Sequence, residues 1–315
     1  MIRDFAEHLQ TFPADSPLQV LDNPFPEPVN IRLVLKRDDL LHPLVSGNKW
    51  RKLKYNLLAA REQGFTTLLT FGGAYSNHLS ATASAGQAFG FQTIGVVRGE
   101  ELATMPLNRT LAFCKSCGMH LHFVNRAEYR CKEDPDFLAY LVHQFGPCYR
   151  LPEGGTNELA IEGTAEIIPE IVEQLGYVPD YVCCPVGTGG TVAGLAQSAP
   201  AETSILGFMA LKGIDWANLQ PGPSGFAARQ AEVLPKLIQD YHFGGYAKTT
   251  PELIQFIRSF EQKTGVFIEQ IYTGKMLYGI YDLARKGFFQ DEATVVAVHT
   301  GGLQGRSTML DTINQ

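Results

Sequence analysis

The sequence predicts an α/β protein built on open parallel sheets, and three observations carry that prediction. Strand-length apolar runs alternate with helix-length segments over most of the chain, the pattern of repeated β–α–β crossovers. Glycine is somewhat above average usage, at 31 residues, which suits a fold with many strand-to-helix turns. At 315 residues the chain is longer than one compact core usually supports, so two α/β lobes or one large domain are expected.

The elements follow in order. Ile31 to Leu35 reads as a strand, and Leu53 to Gln63 as a helix stopped by Gly64. Thr66 to Phe71 is a β-branched and apolar run ending in Gly72-Gly73, and Ser76 to Phe89, rich in alanine, is a helix closed by Gly90. Phe91 to Val97, Met119 to Val124 and Cys148 to Leu151 are further strands, separated by helices near Pro106 to Cys117 and Asp134 to Phe145. A helix from Asn157 to Leu175, a strand from Asp180 to Val186, a glycine-rich turn and another helix come next. The stretch Pro221 to Phe226 reads as a loop rather than a domain boundary, and no repeat or low-complexity linker interrupts the chain.

Charge and cysteine usage exclude several function classes. With a formal net charge of −6 and no cluster of Lys and Arg, neither nucleic acid nor an anionic membrane is expected as the main partner. The first residues lack the apolar core of a signal peptide, and no window approaches the ~20 apolar residues of a membrane-spanning helix, so a cytoplasmic location is expected. Cys114 and Cys117 form a C-x-x-C, but no second matched pair or histidine pair stands at ligand spacing, which argues against a metal site. The cysteines read as free thiols, this pair as two small, partly buried helix residues.

Five segments carry candidate chemistry. Ser46-Gly47-Asn48-Lys49-Trp50-Arg51-Lys52-Leu53 sets a lysine at the start of a helix, where the positive end of the dipole lowers an amine's pKa and favours Schiff-base chemistry. Lys49 and Lys52, three apart, share a helix face, so one can join an aldehyde while the other faces a phosphate. Taken alone, a basic, solvated first turn is the plainer account of this segment. Val186-Gly187-Thr188-Gly189-Gly190-Thr191 runs from an apolar strand into a helix, so its backbone N–H groups can converge on a phosphate. It lacks the Lys-Ser/Thr of a nucleotide-triphosphate loop and the G-x-G-x-x-G spacing of dinucleotide folds, so the lone phosphate of a small cofactor fits better. Phe71-Gly72-Gly73-Ala74-Tyr75-Ser76-Asn77-His78 ends a strand and caps a helix with Ser76, where α/β folds place ligands. Ile271-Tyr272-Thr273-Gly274-Lys275 and His299-Thr300-Gly301-Gly302 fall where strands should end, and each is weak alone.

Taken in this order, the segments resemble the fold-type II pyridoxal-phosphate family that contains D-cysteine desulfhydrase and 1-aminocyclopropane-1-carboxylate deaminase. The resemblance runs from Lys36-Arg37-Asp38-Asp39-Leu40 to His299-Thr300-Gly301-Gly302, and residues 47–53 match the family's G-N-K-x-R-K-L apart from its variable position, Trp50. It implies a tryptophan-synthase-β-like architecture with pyridoxal 5'-phosphate in the cleft of two α/β domains: a larger one over residues 1–50 plus 157–315, and a smaller insert over 51–156. It also implies a small amino-acid substrate and a homodimer or higher oligomer.

By position, Lys49 would hold the cofactor as a Schiff base and shuttle the α-proton. Lys52 and the turn Gly187, Thr188, Gly189, Gly190 and Thr191 would hold the phosphate. Asn77 would bond the ring hydroxyl; Ser76, Asn77, His78 and Thr300 would face the substrate, with Ser76 also catalytic. Tyr272 would stack near the ring or assist proton transfer, and Tyr246 would be the second active-site tyrosine. Thr273 and Thr300 occupy positions where the family's deaminases carry Glu and Leu and its desulfhydrases Thr. A hydroxyl at the pyridine nitrogen leaves it largely neutral, which suffices when a thiol departs from Cβ but not when a cyclopropane must open. The implied reaction is α,β-elimination, with D-cysteine giving pyruvate, ammonia and sulfide. The alternatives are 1-aminocyclopropane-1-carboxylate deamination and a non-catalytic pyridoxal-phosphate or amino-acid-binding protein.

Overall fold

The computed structural model describes residues 15–42, 45, 47–213 and 233–311, together with Phe5 and Leu9. The loop expected at 221–226 lies outside the described residues. The strands are β1 (Leu18–Leu21), β2 (Ile31–Lys36), β3 (Thr67–Gly72), β4 (Gln92–Arg98), β5 (His120–Val124), β6 (Tyr149–Arg150), β7 (Tyr181–Val186), β8 (Ser204–Met209), β9 (Lys236–Ile238) and β10 (Ala293–Val298). They form two sheets, ordered β1-β2-β10-β7-β8-β9 and β5-β4-β3-β6. Every pairing is parallel except β1 with β2. The antiparallel edge strand β1 and the three-residue β9 are too short to show a period in the sequence.

The four-stranded sheet comes from chain between β2 and β7, and the last strand, β10, closes the larger sheet by sitting between them. Helix α1 (Asn48–Glu62) begins five residues before the apolar run that announces it. The expected domain division between residues 50 and 51 therefore falls inside a helix, and that between 156 and 157 just before the next long one. Helices α2 (Asn77–Phe89), α3 (Arg109–Ser116), α4 (Arg126–Arg130) and α5 (Pro135–Phe145) alternate with the strands of the small sheet.

The single helix expected from Asn157 to Leu175 is two, α6 (Glu158–Ala165) and α7 (Ile167–Leu175), with Glu166 between them. Pro169 explains the break. It has no N–H to give the Ala165 carbonyl, and its ring is tolerated only in a first turn, which is where α7 places it. The remaining helices are α8 (Gly190–Ser198), α9 (Pro251–Thr264), α10 (Thr273–Arg285) and α11 (Thr308–Asp311). The large sheet is buried on both faces: Phe256, Phe260 and Met276 from α9 and α10 pack on one side, and Ile168, Ile171, Val192 and Leu195 from α7 and α8 on the other. A fully buried parallel sheet reads as unbroken apolar strands, as β10 (Ala-Thr-Val-Val-Ala-Val) and β7 do.

Candidate active site

The C-terminal ends of β3, β4 and β7 and the start of α1 converge on a cavity of about 390 Å³, within the roughly 300–1,000 Å³ usual for small-molecule sites. Open α/β sheets place ligands at such strand ends. Gly47 starts α1 with a φ of 66°, and a Cβ there would lie 1.9 Å from the Thr300 carbonyl oxygen, so only glycine lets the helix start against the end of β10. The next turn brings Lys49 and Lys52 into the cavity wall.

Below them Arg51, almost wholly buried, pins the helix. Its guanidinium donates to both Asp38 oxygens at 2.8 Å and to the two Glu170 oxygens at 2.6 and 2.7 Å. Lys36 completes the cluster with an ion pair to Glu170 at 2.7 Å.

Lys52 is buried and Lys49 half-buried, and neither has a carboxylate partner among the described residues. Lys49 Nζ donates to the Gly154 carbonyl at 3.1 Å, and Lys52 Nζ to the same oxygen at 3.2 Å and to Thr156 Oγ1 at 3.2 Å. Burial lowers the Lys49 amine to about 8. Lys52 falls well below the ordinary lysine value, through burial first and then the neighbouring charge of Lys49.

The turn after β7 faces Lys52. Gly189 takes a left-handed φ of 85° and no side chain caps α8, so the first amides of that helix have no protein acceptor from a cap. A Cβ on Gly190 would sit 2.9 Å from Lys52 Nζ and 2.7 Å from Thr156 Oγ1. Thr188 shares a 2.7 Å hydroxyl contact with Thr156, and Thr191 Oγ1 accepts from Asn48 Nδ2 at 2.7 Å. Free amides, a lysine and glycines without Cβ atoms make a cradle for a phosphate.

Across the cavity, the turn after β3 is built from side chains. Ser76 caps α2, its Oγ accepting from Leu79 N at 3.2 Å. Asn77 Oδ1 and both ring nitrogens of His78 are buried without a hydrogen-bond partner among the described residues, although Asn77 and His78 line the cavity. Buried polar atoms of this kind call for a bound partner. Burial, with Lys49 and Lys52 nearby, pushes His78 well below the usual histidine range, so its imidazole is neutral.

Tyr272 and Tyr246 line the wall as a T-shaped pair with ring centroids 6.2 Å apart, and the Tyr246 hydroxyl donates to the Tyr75 carbonyl at 3.2 Å. Lys275 Nζ ties the loop of Tyr246 to α10 by donating to the carbonyls of His242 (2.9 Å) and Gly245 (2.8 Å).

Of the sequence-predicted residues, Lys49, Lys52, Ser76, Asn77, His78, Gly187, Thr188, Gly189, Gly190, Thr191, Tyr246, Tyr272 and Thr300 all line this cavity. Thr273 does not. It is fully buried behind the wall, its hydroxyl donating to Glu269 Oε1 at 3.1 Å and accepting from Glu269 N at 3.2 Å. Glu269, unread in the sequence, also accepts from the amides of Ile271 (2.5 Å), Tyr272 (2.9 Å) and Thr273 (2.7 Å). Burial raises this carboxyl, and the donors oppose that shift by favouring its charged form. An acidic residue four places ahead of a helix-opening threonine was the available signal. Arg98, Glu153 and Gly154 also line the cavity, outside the five candidate segments. Arg98 ends β4 where a ligand-facing residue is expected.

A family model described as "Pyridoxal-phosphate dependent enzyme" matches residues 10–301. The chain belongs to that family. It is an enzyme that uses pyridoxal phosphate, and the glycine turn beside the two cavity lysines fits the group. Members of the family similar to this chain include a provisionally named 1-aminocyclopropane-1-carboxylate deaminase of Pyrococcus horikoshii, 30% identical over 94% of this chain and 92% of that protein. A mitochondrial bifunctional D-cysteine desulfhydrase/1-aminocyclopropane-1-carboxylate deaminase of Arabidopsis thaliana is 29% identical over 90% of this chain and 75% of that protein. Among solved structures, that of an ACC deaminase homologue superposes with a TM-score of 0.79 at 28% identity, covering 95% of each chain. The two-sheet architecture is thus the fold-type II one. Among the described residues no helix is long and apolar enough to cross a membrane, and no group of metal-ligating side chains occurs.

Proposed function

We propose that this pyridoxal-phosphate enzyme catalyses α,β-elimination on a small β-substituted amino acid, with D-cysteine giving pyruvate, ammonia and sulfide. Bound pyridoxal phosphate supplies an aldehyde that takes up an amine and a ring that accepts the electrons left at Cα when a proton departs. The protein's residues would do the rest. Lys49, its amine lowered to about 8 by burial, would hold the aldehyde carbon and take the proton from Cα once the substrate amine replaces it. Lys52 and the Gly187–Thr191 turn would bind the phosphate. Ser76, Asn77 and His78 would orient the substrate, with Asn77 also meeting the ring hydroxyl. Tyr272 and Tyr246, their rings in edge contact on the cavity wall, would pass a proton at the leaving-group side.

The observation that carries the choice of reaction is the lack of a free carboxylate on the described cavity wall. Glu269 is closed behind the wall by three amides and the Thr273 hydroxyl. Glu153 is held by the Tyr129 hydroxyl at 2.8 Å and by Lys132 at 3.4 Å. Thr300 offers a hydroxyl. Such a wall cannot hold a proton on the ring nitrogen, so turnover should depend on a good leaving group at Cβ. The names of the Pyrococcus protein and the ACC deaminase homologue favour a second reading, ring opening of 1-aminocyclopropane-1-carboxylate to 2-oxobutanoate and ammonia.

A keto-acid and sulfide assay over both substrates separates the readings. We expect sulfide and pyruvate from D-cysteine, pyruvate from β-chloro-D-alanine, and little 2-oxobutanoate from the cyclopropane. Efficient 2-oxobutanoate release with no sulfide from D-cysteine would overturn the proposal.

A further inference from the structure

Beside Lys49 and Lys52, a third cationic side chain lines the cavity. Arg98 is the last residue of β4 and lines the same cavity as Lys49, Ser76 and Asn77. The register that pairs Gly72 with Val97 sets it beside Gly73. Its Nη2 lies 3.5 Å from where a Cβ on Gly73 would be, so a glycine leaves the guanidinium room against the substrate-side turn.

Among the described residues Arg98 forms no ion pair. Its aromatic neighbour is Tyr129, whose ring centroid is 5.6 Å from Cζ. The acid on the same wall, Glu153, is engaged elsewhere, by Lys132 and the Tyr129 hydroxyl. Arg98 is solvent-exposed at the end of β4, so it meets the cavity at its open side as a positive charge that no carboxylate among the described residues pairs, while the cofactor phosphate would be met by Lys52 and the glycine turn.

We propose that Arg98 selects substrates whose β-leaving group is itself anionic, a sulfate or phosphate ester rather than a neutral group. This rests on the elimination reading and names its substrate class. The guanidinium fork matches two oxygens of such a group, and charge-assisted pairing of this kind is roughly twice as strong as a neutral hydrogen bond. For a sulfate ester the step balances as follows. The Cα–H bond breaks with its proton going to Lys49, the Cβ–O bond breaks with its electron pair leaving on sulfate, and a Cα=Cβ bond forms. Water then releases the nitrogen as ammonia, leaving pyruvate.

The test compares holoenzyme with Arg98→Gln and Arg98→Lys on serine O-sulfate and β-chloroalanine, both enantiomers of each, with folding checked by thermal melting. The ratio of kcat/KM for the sulfate to that for the chloride should fall about tenfold in Arg98→Gln, and Arg98→Lys should restore part of it. An equal loss on both substrates would place Arg98 on the α-carboxylate and overturn the proposal, as would an unchanged ratio. A binding readout keeps this separate from the reaction itself. Aspartate and asparagine carry no leaving group, and titrating each into holoenzyme while following the cofactor absorbance should show aspartate bound more tightly by wild type, a preference that Arg98→Gln abolishes. If the wild type turns over neither substrate, the elimination reading fails while the aspartate preference still decides the role of Arg98. Equal affinity for the two ligands in the wild type would sink that role.

Discussion

Two turns face each other across the cavity, and they solve the same problem with different parts. Each leaves the C-terminal end of a buried parallel strand and opens a helix. The turn from β7 to α8 has glycines at 187, 189 and 190 and no side-chain cap, so it presents backbone amides. The turn from β3 to α2 is capped by Ser76 and presents the side chains of Asn77 and His78. A backbone cradle suits a group that never changes, such as a phosphate, because amides cannot be varied by substitution. A side-chain wall suits the variable partner, the substrate. The two cavity lysines of α1 stand between them.

The difference can be broken at either turn, and the largest effect is expected at the glycine one. Gly189→Val forces a β-branched residue to a φ of 85°, which costs roughly 1–2 kcal/mol of strain and moves the amides. Loss of two phosphate hydrogen bonds should weaken pyridoxal-phosphate retention roughly a hundredfold, by equilibrium dialysis, with the circular dichroism spectrum preserved. Ordinary retention would show that the amides do not hold the phosphate.

The lysine between the turns gives a smaller, tenfold effect. Its lowered value of about 8 means that the neutral, reactive amine grows from about a tenth of the protein at pH 7 to about nine-tenths at pH 9. Because the folded value of a base is depressed, the sign is fixed: capture of pyridoxal phosphate by apoenzyme should speed up about tenfold over that range in stopped-flow absorbance, and level off above it. A capture rate flat in pH would contradict the burial argument.

The smallest effect is at the side-chain turn. Ser76→Ala removes the acceptor of the Leu79 amide and should cost about 1 kcal/mol of stability. It should raise the substrate KM a few-fold while leaving cofactor retention as in wild type. Equal damage to both would mean that the two turns are not separate in function.

How much of this was legible in the sequence follows the same division. The turn at 187–191 and the Gly47-to-Leu53 segment could be read because their chemistry is local: glycines, threonines and lysines at fixed spacing state what the backbone will do. Ser76 was legible as a cap for the same reason. Thr273 was not, because what decides its role is the Glu269 carboxylate, which folds back over the start of α10 and takes the hydroxyl that the pattern alone leaves free. The support beneath Lys49 was invisible for a different reason. Arg51 meets Glu170 across 119 positions of chain, and no period or motif signals a buried ion pair that distant. The break between α6 and α7 was legible in Pro169, but the strong apolar periodicity on either side hides a one-residue interruption.

The central claim is that Lys49, set between the two turns, carries the cofactor. Borohydride reduction of the holoenzyme fixes whichever lysine holds the aldehyde carbon, and peptide mapping by mass spectrometry then names it. The pyridoxyl mass is expected on Lys49, and should be lost in Lys49→Ala with the melting curve retained. The label on Lys52, or on any lysine outside the cavity, would contradict it.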